Sequence, residues 1–109
     1  MSWFLFSSRP RTMAAWAAGL LCVAAQAQTA QELNTRALAA TCANCHGTDG
    51  RPVTGSDSAR LAGQSREFIV EQMLAFRSGN RPATVMHQLA KGYSDAQIQA
   101  LAAYFAAQR

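Results

Sequence analysis

The sequence is poor in aromatic residues, and it contains neither a long apolar run nor the alternation of apolar and polar residues typical of β-strands. Both tryptophans, Trp3 and Trp16, lie in the first 27 residues, so only five aromatic side chains follow them. The apolar run from Met13 to Ala25 has about 13 residues, whereas a helix needs roughly 20 to span a bilayer. These absences argue against a stable membrane anchor, a β-sheet and a core built from large aromatic side chains.

The first 27 residues have the layout of a secretory signal peptide. Arg9 and Arg11 form a positive region, the apolar run follows, and Ala25-Gln26-Ala27 is a small-x-small cleavage site. The length of the run disfavours a retained anchor, and the bulky leucines before Cys22 disfavour lipidation there. We therefore predict a cleaved signal peptide over residues 1–27, export to the periplasm, and a mature domain over residues 28–109.

Cleavage would leave 82 residues with eight basic and six acidic side chains, because Arg9 and Arg11 are removed. A mature charge of +2 without a basic stripe argues against nucleic-acid binding. A domain of this size with so few aromatics usually needs a cross-link or a cofactor. The remaining cysteines, Cys42 and Cys45, are three positions apart, and a disulfide across so short a loop would constrain little of the unfolded chain. The composition favours a buried prosthetic group.

Local patterns predict three main helices. The first runs from Gln31 to Thr41, with an apolar side formed by Leu33, Ala37, Leu38 and Ala40. The second begins at Ser65 and stops at Gly79, with one face formed by Ile69, Met73 and Phe76. The third opens with a capping box over residues 94–97, and its apolar residues at i, i+3, i+4 and i+7 are Ile98, Leu101, Ala102 and Phe105.

The segments between these helices are predicted to be irregular. Glycines and Pro52 break the stretch from Gly47 to Gly63, and Pro82 favours extended chain from Asn80 to Val85. The predicted fold class is all-α, with three or four short helices joined by loops longer than an unliganded bundle would need.

The motif Cys42-Ala43-Asn44-Cys45-His46 is the attachment signature of a c-type haem. Each thiol adds to one vinyl group of the porphyrin, and the following histidine is delivered to the iron as its proximal ligand. A tetrahedral zinc site would need a fourth ligand, for which His87 is the one remaining mature histidine. A redox-active dithiol would need a βαβ setting, which this sequence lacks. We predict one covalent haem c, with His46 as an iron ligand.

The second axial ligand is predicted to be Met86, which lies in the extended stretch after Pro82, where a loop could fold over the iron. Met73 lies mid-helix on an apolar face, where methionine usually fills the core. His87 is the alternative nitrogen ligand, and Lys91 could ligate only at raised pH. Histidine–methionine ligation raises the reduction potential, which suits electron carriage.

Several segments give the mature chain a resemblance to small bacterial class I cytochromes c. They are the Cys42–Gly47 motif, the Leu61-Ala62-Gly63-Gln64 turn, the Met86 loop and Gly92-Tyr93-Ser94-Asp95. The stretch from Glu71 through Arg77-Ser78-Gly79 to Asp95 is similar to the cytochrome subunit of flavocytochrome c sulfide dehydrogenases. The resemblance implies a class I fold around one haem, and a flavoprotein partner that oxidises sulfide. In the family a proline usually stands at the position of Ala59, and its carbonyl holds the proximal histidine.

The needs of a bound haem suggest further roles. The second ring nitrogen of His46 needs a carbonyl partner, for which Ala59 and Arg60 are candidates. The propionates need donors, and the candidates are Arg60, Gln64 and Arg81, although most arginines are simply solvated. The residues expected to pack on the ring are Leu61, Tyr93, Leu101 and Phe105.

The sequence offers no carboxylate pair for proton transfer, and we therefore predict an electron carrier rather than an enzyme. Three functions remain open at this stage. The first is the electron-accepting subunit of a sulfide-oxidising flavocytochrome, and the second is a free periplasmic shuttle to an oxidase or reductase. The third is a gas sensor or peroxidase with an open iron site.

Overall fold

The computed structural model of the chain describes residues 30–109, so the predicted signal peptide lies outside the described residues. Helix α1 covers residues 30–40 and is followed by the short helix α2, Ala43–His46. A 3₁₀ turn covers Thr48–Gly50, and α3 covers Arg66–Ser78. The short helix α4, Met86–Leu89, continues into a 3₁₀ turn over Ala90–Gly92, and α5 covers Asp95–Ala106. Residues 30–109 contain no strand, which confirms the predicted all-α class.

Helix α3 begins and ends where its local chemistry predicts. The Ser65 hydroxyl accepts a hydrogen bond from the Phe68 amide at 3.2 Å, and Glu67 lies in the first turn, where a negative charge is favourable. Gly79 ends the helix with a left-handed φ of 83°, and its amide donates to the Phe76 carbonyl. The predicted boundaries are therefore confirmed.

Helix α5 is the centre of the core. Its capping box is complete, because the Gln97 amide donates to the Ser94 hydroxyl at 3.2 Å and the Ser94 amide donates to the Gln97 side chain at 2.9 Å. All four apolar residues predicted to line one face are buried: Ile98, Leu101, Ala102 and Phe105. Burial of that stripe against α1 and α3 fixes the rotation of the helix.

The core joins one residue of α1 and one of α3 to α5. Ala39 and Ile69 contact the buried stripe of α5, and the partly buried residues packed around them include Leu38, Cys42 and Met73. The apolar side predicted for α1 is wrong at three of its four positions, since Leu33 is 60% exposed and Ala37 and Ala40 are exposed too. An alanine-rich helix has little contrast between its sides, and close packing of the small Ala39 decides which side is buried.

The remaining elements are short. Helix α4 packs against α3, and the turn Ala90–Gly92 packs against both. Met86 therefore begins a helical turn and does not lie in the extended loop that the sequence predicts, although residues 80–84 are non-helical as expected. Residues 32–109 form one compact unit. Among residues 30–109, none of the helices combines the length and the apolar character that spanning a membrane requires.

Candidate haem site

The end of α1 and the single turn of α2 place both cysteines and His46 close together. The amides of Cys45 and His46 donate to the Cys42 carbonyl at 3.3 and 2.9 Å, which closes the turn. Neither cysteine forms a disulfide. Cys42 is half-buried against the core, whereas Cys45 is exposed. Both thiols are therefore available as free thiols on one helical turn.

The Cys42 thiol lies in a network with two hydroxyl groups. Its Sγ is 4.0 Å from the Thr41 hydroxyl, which is 2.8 Å from the Tyr93 hydroxyl and donates to the Leu38 carbonyl. Burial raises the pKa of the Cys42 thiol, while the neighbouring hydroxyls lower it to a smaller extent. The net effect favours the neutral thiol near pH 7.

His46 is held in one orientation by a backbone carbonyl. Its Nδ1 lies 2.6 Å from the carbonyl oxygen of Ala59. Because a carbonyl can only accept, Nδ1 carries the proton and Nε2 is left with its lone pair for a metal. This is the contact expected from the sequence, with Ala59 as the partner and not Arg60. It fixes the tautomer that a haem ligand needs.

Backbone hydrogen bonds to the Gly50 turn and to α5 hold the loop that supplies the Ala59 carbonyl. The Gly50 carbonyl accepts hydrogen bonds from the amides of Leu61 and Ala62 at 2.9 and 3.0 Å. The Gly63 amide donates to the Phe105 carbonyl of α5 at 3.0 Å. Backbone hydrogen bonds therefore hold this loop, although Ala59 stands where the family usually has proline.

The turn containing Gly50 is tied to α5 by a further contact. Asp49 has a left-handed φ of 54°, and its carboxylate accepts a 2.5 Å hydrogen bond from the Tyr104 hydroxyl. That bond raises the pKa of the Tyr104 phenol, with burial and the carboxylate charge adding to the effect. An aspartate tolerates this backbone conformation better than most residues do.

Helix α4 carries Met86, the predicted second axial ligand, and packs against α3. Met86 and His87 are half-buried, and the His87 Nδ1 atom is buried without a hydrogen-bond partner. Val85 and Leu89 flank them with about half of their surface exposed, 50% and 51%. Met73, by contrast, packs against the core cluster, as expected for a core methionine.

The predicted propionate donors have partners within the protein. Arg60 Nε donates to the Ala62 carbonyl at 3.2 Å, and the Gln64 amide donates to the Arg60 carbonyl at 3.4 Å. Arg81 follows the end of α3 and packs back against that helix, where its guanidinium donates to Gln72 and covers the Phe76 ring at 4.6 Å. Arg60 and Gln64 thus share one loop and Arg81 is held elsewhere. Their contact with a propionate stays a prediction.

Leu61 and Tyr93, which are predicted to lie beside the haem, both pack against the core cluster together with Cys42. Two residues that the sequence patterns do not predict also contribute to this region. Thr41 directly precedes the motif, and its position there is a local signal, whereas the contact of Asp49 is with Tyr104, 55 positions away.

These residues fit a haem better than a bare metal ion. Residues 30–109 contain no group of three or more histidine, cysteine, aspartate or glutamate side chains placed to hold a metal ion. Two free thiols and one imidazole with an available Nε2 match covalent attachment and axial ligation instead. The half-exposed Val85 and Leu89 supply apolar surface that a porphyrin could cover.

Comparison with known proteins identifies the family. Residues 33–108 match the cytochrome c family. The chain is 41% identical over 68 residues to the cytochrome subunit of sulfide dehydrogenase from Chlorobaculum tepidum, an alignment covering 62% of this chain and 60% of the relative. It is 38% identical over 71 residues to cytochrome c-554(548) from Halomonas halodenitrificans, covering 62% of this chain and 84% of that relative. Several other relatives are much longer, and the chain spans 26–36% of their length.

The fold agrees with this assignment. The solved structure of cytochrome c4 from Acidithiobacillus ferrooxidans superimposes with a TM-score of 0.56 at 40% identity, covering 60% of this chain and 37% of that one. The chain belongs to the cytochrome c family and has a class I cytochrome c fold. Its cofactor is the covalently attached haem c of that family.

Proposed function

We propose that this chain is a periplasmic monohaem electron carrier, with haem attached through Cys42 and Cys45 and the iron ligated by His46 and Met86. The observation that carries the proposal is the 2.6 Å contact from His46 Nδ1 to the Ala59 carbonyl, which leaves Nε2 free on the turn that bears both thiols. A bound haem supplies a reversible one-electron couple. The chain supplies the attachment points, the oriented imidazole and a thioether that raises the potential.

We further propose that the electron donor is a sulfide-oxidising flavoprotein. The support is the similarity to the sulfide dehydrogenase subunit, together with the stretch from Arg77 to Asp95. In that stretch the Arg77 guanidinium lies 2.7 Å from the Asp95 carboxylate, so two of the residues in the similar stretch form an ion pair. In this role the chain is a haem subunit without catalytic groups of its own.

A free periplasmic shuttle is the second candidate. It is favoured by the cytochrome c-554(548) relative, of which the chain covers 84%, compared with 60% of the sulfide dehydrogenase subunit. A gas sensor or peroxidase would require an open iron site, and carbon monoxide binding to the ferrous protein would reveal one.

The distal ligand is tested by exchanging the two mature methionines separately. Met86→Ala should remove the weak long-wavelength band of a methionine–ferric iron bond, and Met86→His should stay low-spin with a lower potential. Met73→Leu is the matched control, because a volume-conserving swap against the core costs under about 1.5 kcal/mol and leaves the band intact. Survival of the band in Met86→Ala, or its loss in Met73→Leu, contradicts the assignment of Met86.

The proposed flavoprotein partner is tested by changing the surface around Met86, where it is expected to dock. Val85→Ser and Leu33→Ser both replace exposed apolar side chains, which are 50% and 60% accessible, but only Val85 adjoins Met86. If a flavoprotein docks there, Val85→Ser should slow haem reduction by the purified sulfide dehydrogenase flavoprotein, and Leu33→Ser should not. Recovery of no flavoprotein from a sulfide-grown culture, with normal reduction by unrelated donors, supports the free shuttle.

Export is tested on the protein isolated from the periplasm. Cleavage after Ala27 predicts holoprotein whose N-terminus is Gln28. N-terminal sequencing provides the measurement, and soluble holoprotein that still begins at Met1 would contradict the proposed signal peptide.

A further inference from the structure

Helix α3 holds both ends of the segment that carries Met86, residues 80–93. At its beginning the Arg81 amide donates to the Ala75 carbonyl at 3.1 Å, and the Arg81 guanidinium covers the Phe76 ring. At its end the Arg77 guanidinium donates to the Tyr93 carbonyl at 3.4 Å. The same guanidinium pairs with the Asp95 carboxylate at 2.7 Å, so Arg77 binds on both sides of the junction with α5.

The segment has little internal structure to keep it in place. Helix α4 has four residues, and its amides at Gln88 and Leu89 both donate to the Val85 carbonyl, at 2.9 and 3.1 Å. One helical turn is far below the length at which a helix is stable alone. The position of α4 therefore depends on its packing against α3 and on the two anchored ends.

The end held by Arg77 also reaches the haem-attachment turn. Tyr93, whose carbonyl accepts from Arg77, places its hydroxyl 2.8 Å from the Thr41 hydroxyl. Thr41 precedes Cys42, and its hydroxyl is 4.0 Å from the Cys42 sulfur. A short series of contacts thus connects α3 to the motif by way of the last residue of the Met86 segment.

We propose that Arg77 is a positioning residue that keeps the Met86 segment closed over the iron by fixing its C-terminal end. The proposal rests on the proposed function, in which Met86 is the distal ligand. The Arg77 side chain is 31% exposed and the Asp95 side chain 81% exposed, so solvent partly screens the ion pair, whereas the bond to the Tyr93 carbonyl is partly buried. The two terminal nitrogens of the guanidinium each contact one acceptor, a fixed geometry that the single nitrogen of a lysine does not reproduce.

Arg66 provides a matched control on the same helix. Its guanidinium donates to the Gln99 side chain at 2.8 Å and so ties the other end of α3 to α5. That contact does not involve residues 80–93. Loss of Arg66 removes one contact between α3 and the C-terminal part of the chain and loss of Arg77 removes two, but only Arg77 contacts the Met86 segment.

The experiment measures how readily added imidazole displaces the distal ligand in the ferric holoprotein. Apparent affinity scales with the fraction of molecules whose segment is open, so a weaker anchor raises it. Arg77→Gln should raise imidazole affinity about tenfold, as expected for the loss of a partly exposed ion pair and a hydrogen bond to a carbonyl. Arg77→Lys should give a smaller increase, and Arg66→Gln should change the affinity less than about twofold.

Hydrogen exchange gives a readout that does not depend on added ligand. In Arg77→Gln the amides of Gln88 and Leu89 should exchange faster, while those in the middle of α5 keep their protection. Equal imidazole affinities in Arg77→Gln and Arg66→Gln, or equal loss of protection in α4 and α5, would overturn the positioning role while leaving Met86 ligation intact. A wild-type ferric spectrum without the methionine–iron band would instead overturn the assignment of Met86, and the inference with it.

Discussion

Replacing Gly50 with alanine tests whether the loop that orients His46 depends on close backbone contact. Gly50 has a φ of 77°, and a Cβ there would lie 2.8 Å from the Leu61 Cβ, 2.9 Å from the Ala62 amide nitrogen and 2.9 Å from the Phe105 ring. Two of those neighbours are backbone-proximal atoms that cannot rotate away. Gly79 is the matched control, since its φ is 83° and nothing lies within 4 Å of its Cβ position.

The two variants share one cost and differ in another. A left-handed φ costs a non-glycine residue roughly 1–2 kcal/mol, and that cost applies at both positions. Overpacking a close-packed site adds roughly 1–3 kcal/mol, which applies only to Gly50. Alanine also restricts the unfolded chain, but equally in both variants. We expect the free energy of unfolding to fall by about 2–5 kcal/mol for Gly50→Ala and by about 1–2 kcal/mol for Gly79→Ala.

The assay is denaturant unfolding of the two holoproteins, followed by circular dichroism and by haem absorbance. For a domain of this size each kcal/mol shifts the melting temperature by about 4–8 °C, so the difference is measurable by heating as well. Because the displaced Leu61 and Ala62 belong to the loop that presents the Ala59 carbonyl, haem absorbance should also change in Gly50→Ala. Equal destabilisation of the two variants, with identical spectra, would refute the reasoning.

Two further perturbations have direct readouts. Acid–acetone extraction should leave haem on the wild-type chain and remove it completely from the Cys42→Ala, Cys45→Ala double variant; haem that stays bound there contradicts attachment through this motif. Tyr104→Phe should lower the free energy of unfolding by about 1 kcal/mol at neutral pH through loss of the bond to Asp49. Because that bond raises the pKa of the phenol, its contribution is present below the ordinary tyrosine pKa and is lost as pH rises through the raised value. The difference between wild type and Tyr104→Phe should therefore shrink in alkaline solution, and a constant difference would argue against the Asp49 contact.

The features predictable from sequence are those set by chemistry within a few residues. The caps at Ser65, Gly79 and Ser94 define where α3 and α5 begin and end, because each satisfies backbone groups of its own helix. The partner of His46 could also be anticipated, since a ligating imidazole needs an acceptor for its other nitrogen and Ala59 was in the expected loop.

Contacts between segments that are distant in the sequence could not be predicted from local patterns. The buried side of α1 was misassigned because alanine-rich periodicity does not distinguish Ala39 from its neighbours. Helix α4 was missed because Val85, at its N-cap position, provides no side-chain cap and the helix has a single turn. The two contacts of Arg77 span 16 and 18 positions and depend on how α3 meets the start of α5.

The small core favours the proposed use of the two cysteines for attaching a prosthetic group over a disulfide between them. Four of the eight buried apolar residues among residues 30–109 are alanine, and the large ones are Ile69, Ile98, Leu101 and Phe105. Full burial of such a side chain contributes about 1.5–3 kcal/mol. Because the core contains only four of them, hydrophobic burial exceeds the conformational entropy cost of folding by a narrow margin. A disulfide between Cys42 and Cys45 would close too short a loop to widen that margin. A porphyrin attached through the same two sulfurs, as proposed, would supply the apolar surface that this core lacks.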